Sequence, residues 1–212
     1  MTTTPNDPLV LYGETFHSRL LLGTATLPLW AALAACGESE PKPSFTGTDI
    51  TGANYGRDFA LSDPDGKRRT LADFKGKVVM IFFGFTQCPD ICPTALTRAA
   101  EVKQQLGAAG DDLQVIFVTI DPERDTPEVM RAYTAAFDPS FLGLRGDLAQ
   151  TEATAKEFKV FYEKVPTRTS YTMDHSAFTY LIDRKGRMRV VMRYAQSASE
   201  FTADVRALLA AG

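Results

Sequence analysis

An uninterrupted apolar run, VVMIFF, begins after Lys77 and is bounded by Gly76 and Gly84. A strand without a polar face is one covered on both sides, and in a chain of this size that cover comes from helices. The run therefore predicts the central strand of a sheet. Cys88-Pro-Asp-Ile-Cys92 follows at once, and Leu96, Ala99, Ala100, Val102 and Leu106 then recur with helical spacing up to Gly107, with Pro93 suited to a first helical turn. The succession is a buried strand, a tight cysteine loop and a helix.

The rest of the chain keeps that alternation. Residues 113–120 read as a second apolar strand, and Thr126 or Asp125 caps a helix that Pro127 opens and that runs to about Phe137. A further helix is expected over 148–158, two strands over 177–182 and 188–193 around a turn at 183–186, and a last helix over 198–209. Ahead of all this, residues 49–61 alternate weakly into Ser62-Asp-Pro-Asp-Gly66, which predicts a β-hairpin. No internal repeat is visible. The order gives an α/β sandwich with a mixed sheet and an N-terminal β-hairpin extension.

The 212 residues allow one globular domain plus an extension. A net charge of -3, with no basic cluster longer than Lys67-Arg68-Arg69, excludes a phosphate-tracking surface and with it nucleic acid as a partner. Attraction to anionic lipid is equally weak, so membrane attachment must come from a hydrophobic or covalent anchor. Residues 20–35, LLLGTATLPLWAALAA, follow Arg19, carry no charge and run into Cys36. The segment is short for a membrane crossing and contains Pro28, which favours a secretion signal over a spanning helix. Leu33-Ala-Ala-Cys36 resembles the lipobox of bacterial lipoproteins, which implies acylation of Cys36. An uncleaved anchor helix is the alternative. Residues 1–35 are thus expected to be a signal or anchor, 36–48 a polar tether, and 49–212 a domain held outside the cytoplasm, facing the periplasm.

Cys88 and Cys92 sit where the buried strand gives way to a helix, and free backbone N–H groups at a helix start favour thiolate. Cysteines four apart share one helical face, near enough to form a disulfide or to hold one ion. Inert core thiols are the plain alternative, but an extracytoplasmic pair is seldom chemically idle. His175 is the one histidine beyond the signal segment and lies just before the strand at 177–182. Alone it reads more readily as a hydrogen-bonded structural residue than as a ligand. Two soft thiolates with one imidazole suit Cu(I), while zinc is the chemical competitor; an extracytoplasmic setting and copper's place in the affinity order favour copper. Residues 121–126 admit two readings, a strand end with a helix cap or a docking surface near the site. Asp90 and Asp174 are either turn residues or tuners of the ligands, and Met173 reads as packing.

Taken together, GFTQCPDICPT at 84–94, DPERDTP at 121–127 and Asp174-His175-Ser176 resemble the three signatures of the Sco/SenC family, in the family's order. The resemblance spans residues 45–209. It implies a thioredoxin-like three-layer sandwich, copper held by Cys88, Cys92 and His175, and a role as a metallochaperone in assembling the dinuclear copper centre of cytochrome c oxidase. The implied partners are the copper-accepting subunit of the oxidase and other extracytoplasmic copper or thiol-redox proteins. In thioredoxin-like folds the loop before the last hairpin faces the cysteine turn and usually presents a cis-proline; here residues 174–176 take that place, so the imidazole can reach the thiols. A second reading is a thiol-disulfide reductase, with Cys88 attacking and Cys92 resolving the mixed disulfide. A peroxiredoxin-like peroxidase would place Thr three residues before its reactive cysteine, where this chain has Phe85 and Pro89.

Overall fold

The computed structural model describes residues 9–11, 14–16 and 43–211, and the chain divides into two units, residues 1–42 and 43–212. In the first, β1 (Leu9–Leu11) pairs antiparallel with β2 (Glu14–Phe16). The apolar segment 20–35 and Cys36 lie outside the described residues, and among the described ones no helix is long and apolar enough to cross a membrane.

In the second unit the apolar run becomes β6 (Val78–Gly84), in which all seven residues are buried. Parallel β7 (Leu113–Thr119) lies on one side of it and antiparallel β11 (Thr179–Ile182) on the other. Beyond β7 comes β8 (Leu142–Leu144), also parallel; beyond β11 come β12 (Met188–Met192) and β3 (Thr48–Asp49), both antiparallel to their neighbours. The sheet is therefore mixed and six-stranded, in the order β3-β12-β11-β6-β7-β8. Four helices accompany it among the described residues: α1 (Ile91–Leu106), α2 (Pro127–Ala135), α3 (Leu148–Glu157) and α4 (Ala198–Ala210).

Strand alternation decides what each face of β6 meets. Phe82 stacks on Phe117 of β7, which in turn touches Tyr133 of α2, and the same face at Gly84 looks onto Cys92 of α1. Phe83 points the other way, against Phe158 just past α3 and Tyr180 of β11, with Phe59 beyond Phe158. Each of these buried phenylalanine side chains is worth roughly 1.5–3 kcal/mol. The helices start where capping chemistry allows. Thr126 Oγ1 accepts from Val129 N at 3.3 Å with Pro127 next in the chain, while Asp147 with Gln150 and Ser197 with Glu200 form reciprocal capping boxes.

The expected N-terminal hairpin is smaller than the alternation over 49–61 predicts. It consists only of β4 (Leu61–Ser62) and β5 (Arg68–Arg69); upstream, Asp49 belongs to β3 on the sheet edge and residues 50–60 form no strand. The chain there is anchored before Asp49, because Asp204 of α4 accepts from Thr46 N at 2.7 Å and Gly47 N at 2.8 Å.

The turns of the β4–β5 and β11–β12 hairpins share one construction. In Asp63-Pro-Asp-Gly-Lys67 the aspartate Oδ1 accepts from Asp65 N and Lys67 N at 3.0 and 2.9 Å, and Oδ2 takes Arg69 Nε at 2.8 Å. In Asp183-Arg-Lys-Gly-Arg187, between β11 and β12, Oδ1 accepts from Lys185 N and Arg187 N at 3.0 and 2.9 Å, and Oδ2 takes Arg187 Nε and Arg189 Nη1 at 2.9 and 3.1 Å. Gly66 and Gly186 supply the left-handed turn position, at φ +79° and +78°.

Candidate metal centre

The cysteine loop leaves the carboxyl end of β6, at the place where the sheet changes from parallel to antiparallel neighbours. Ligands of open α/β sheets bind outside the carboxyl ends of the strands, where this loop lies. Gly84 permits the approach, because a Cβ there would lie 2.6 Å from Cys92 Sγ. The loop turns on Cys88 N donating to Phe85 O at 3.2 Å, and Cys92, in the first turn of α1, donates its backbone N–H to Cys88 Sγ at 3.4 Å. Cys92 is buried, and Cys88 is half-buried at the rim. Both thiols are free.

His175 ends a hairpin that the sequence pattern did not announce, β9 (Tyr162–Pro166) paired with β10 (Tyr171–His175). It is thus a strand residue and not part of an open loop. Its Nε2 lies 3.7 Å from Cys92 Sγ, and its Nδ1 lies 3.0 Å from Ser176 O. A carbonyl can only accept, so this contact puts the proton on Nδ1 and leaves the Nε2 lone pair facing the sulfurs. Phe82 and Phe85 set their rings edge-on to the imidazole, with centroids at 6.1 and 5.9 Å. The two Sγ atoms and the ring nitrogen all fall within 4.8 Å of one another.

The two thiols divide the charge. A hydrogen bond from Cys92 pulls the Cys88 thiol down to about 3, burial opposes it, and the backbone N–H groups of Cys92 and Asp90 add to the lowering. The same hydrogen bond, together with burial, pushes Cys92 well above the usual thiol range. The pair holds one proton between them, with thiolate at the rim and thiol inside. A metal bound by both sulfurs would release that proton. Two sulfurs and one neutral imidazole are a soft donor set that fits copper.

In segment 121–127 the two aspartates are scaffold. Asp121 and Asp125 are 2% and 0% exposed, which overturns the docking-surface reading for both carboxylates. Asp125 accepts from Thr86 N and Thr86 Oγ1 in the cysteine loop and from Thr119 Oγ1 at the end of β7. Asp121 accepts from Tyr171 Oη at 2.9 Å, and Arg124 pairs with Asp121 while reaching both Gln87 and Tyr171. The cap falls to Thr126. Asp90 accepts weakly from Thr94 Oγ1 at 3.4 Å, Asp174 is exposed, and Met173 is buried in the core, as its packing role requires. The sequence marked Gly84 only as the boundary of the apolar run and did not single out Arg124 or Tyr171; an Arg inside a Pro- and Asp-rich turn was the one available signal.

Residues 47–210 match the SCO1/SenC family. A SCO2-like protein of Rickettsia felis is 40% identical over 173 residues, covering 79% of this chain and 82% of its own length. The structure of Bradyrhizobium japonicum ScoI with copper bound is 42% identical, with a TM-score of 0.68, covering 74% of this chain and all of that one. The solution structure of apo Sco1 from Thermus thermophilus is 40% identical, with a TM-score of 0.72 over 80% of this chain and 99% of that one. The sheet order and helices are those of the thioredoxin-like sandwich, and the chain belongs to the SCO1/SenC family.

Proposed function

We propose that this chain binds one copper ion through Cys88, Cys92 and His175 and delivers it to the copper-accepting subunit of cytochrome c oxidase, as a metallochaperone for the dinuclear centre. The observation that carries this reading is the convergence of two sulfurs and one imidazole nitrogen at a rim where Cys88 and His175 are half-exposed and Cys92 is buried. Handover needs that asymmetry. An acceptor's ligands can displace the two exposed groups first, while Cys92 retains the ion until a replacement is in place. The copper-bound Bradyrhizobium japonicum relative supports the choice of metal.

The rim thiolate also favours a second reading, a thiol-disulfide reductase. Cys88 S⁻ would attack an acceptor disulfide and release one thiolate; Cys92, on losing its proton, would then displace the second. The products are the Cys88–Cys92 disulfide and a reduced acceptor. Copper transfer from the loaded full chain to the purified oxidase subunit, offered reduced and oxidised, separates the two. Delivery predicts copper on the reduced acceptor with the thiol count of the chain unchanged. Reduction of the oxidised acceptor, with loss of both donor thiols and no copper gained by the acceptor, overturns delivery.

We further propose that residues 1–35 direct export and that Cys36 is acylated, with residues 36–48 tethering the domain to a membrane on its periplasmic side. The uncharged segment 20–35 running into Leu33-Ala-Ala-Cys36 supports this. Mass spectrometry of the mature N-terminus is expected to find Cys36 first and carrying acyl chains. A chain that retains residues 20–35 would replace the lipid with an uncleaved helix.

A further inference from the structure

The β9–β10 hairpin that carries His175 is its own two-stranded sheet and is not a member of the six-stranded one. Its hydrogen bonds to the rest of the domain run to two places. One is the metal site, where Cys92 Sγ lies against His175 Nε2. The other is the turn at residues 121–124, where Lys164 pairs with Glu123, Tyr171 Oη donates to Asp121, and Arg124 Nη1 donates to Tyr171 O at 2.8 Å.

Arg124 does more than join the turn to the hairpin. Its Nε pairs with the buried Asp121, its guanidinium lies 3.7 Å from the Tyr171 ring centroid, and Nη1 also donates to Gln87 Oε1 at 3.1 Å, one residue before Cys88. The guanidinium also lies 5.9 Å from the ring of Phe85, which packs edge-on to His175. One planar group therefore touches the cysteine loop, the end of the parallel sheet and the histidine arm. A fork of fixed geometry can hold three segments at set distances in a way that a flexible ammonium cannot.

We propose that Arg124 is a positioning residue for the metal site: it holds the His175 hairpin in register with the Cys88 loop, and so acts on the metal through His175. This rests on the three-ligand reading above, and it goes beyond that reading by placing control of the site in a residue that touches no ligand atom. Residues that orient metal ligands typically contribute about tenfold to hundredfold in affinity.

The test is a mutant cycle on the reduced full chain, read by Cu(I) competition with a chromophoric chelator and, without metal, by the nitrogen NMR shifts of the His175 ring. Arg124→Met is expected to weaken Cu(I) binding about tenfold or more and to move the metal-free His175 ring signals, while Arg124→Lys fails to restore either. In a His175→Ala background, Arg124→Met should cause no further loss, because the arm it positions no longer supplies a ligand. Unchanged affinity in Arg124→Met, or full multiplication of the two losses, overturns the proposal. If Arg124→Met does not fold, Gln87→Leu takes its place in the same cycle: Gln87 is exposed, and the change removes the acceptor through which Arg124 Nη1 holds the cysteine loop. Failure of the unsubstituted chain to bind Cu(I) counts against the function instead, and the metal-free ring signals then still decide the role of Arg124.

Discussion

Gly84 shows how a single missing side chain sets the position of a ligand. A Cβ there would fall 2.6 Å from Cys92 Sγ, 2.9 Å from the Phe117 ring and 3.0 Å from the Phe82 ring. None of these can yield easily: Phe82 and Phe117 stack on each other in the core, and the sulfur is fixed by the first turn of α1. A glycine inside a strand commonly marks such a close approach. Gly84→Ala is expected to cost about 1–3 kcal/mol of stability through overpacking, and to weaken Cu(I) binding because Cys92 is the atom that must move. Denaturant unfolding and chelator competition measure the two effects separately. A folded Gly84→Ala chain with undiminished affinity would show that the sulfur tolerates displacement.

At the scale of elements, what was legible in the sequence is what has a strong local cause. β6 was visible because all seven of its residues are buried, and α2 because Thr126-Pro127 pairs a cap with the residue best suited to the first turn. The β9–β10 hairpin was not visible. β9 has no buried residue, so it shows no apolar alternation, and it is held by pairing and by a turn some forty residues earlier in the chain. β8 is only Leu142–Leu144, too short for any period to register. The cysteine pair was legible from residue type and spacing, because two cysteines at a strand-to-helix turn are suited to redox or metal chemistry, whereas His175 joined them only through the family resemblance. Their support was not legible. Arg124 finds Gln87 and Tyr171 across 37 and 47 residues of chain, and nothing in a short motif encodes such distances. The shared turn at Asp63 and Asp183 lies between these cases. An Asp, a Gly three residues on and an Arg six residues on can be read from sequence once the hydrogen-bonding reason for each is known.

For the whole molecule, the site joins parts that the sheet does not. Cys88 lies in the loop after β6, Cys92 begins α1, and His175 sits on a hairpin outside the six-stranded sheet. An ion held by all three ties that hairpin to the core, and a ligand that prefers the native state stabilises it by mass action. At free Cu(I) a hundredfold above the dissociation constant the gain is about 2.7 kcal/mol, less whatever the unfolded thiols bind. In a domain of this size that corresponds to a rise of roughly 5–10 °C in the unfolding midpoint. Oxidation to a Cys88–Cys92 disulfide consumes both thiolates and leaves His175 as the single remaining ligand, so the oxidised chain should show little or no rise. Thermal unfolding of the reduced and oxidised full chain, each with and without buffered Cu(I) and with free thiols counted, makes the comparison. Equal shifts in the two forms would place the metal elsewhere, whereas a shift confined to the reduced form ties metal occupancy and domain stability to the same pair of sulfurs.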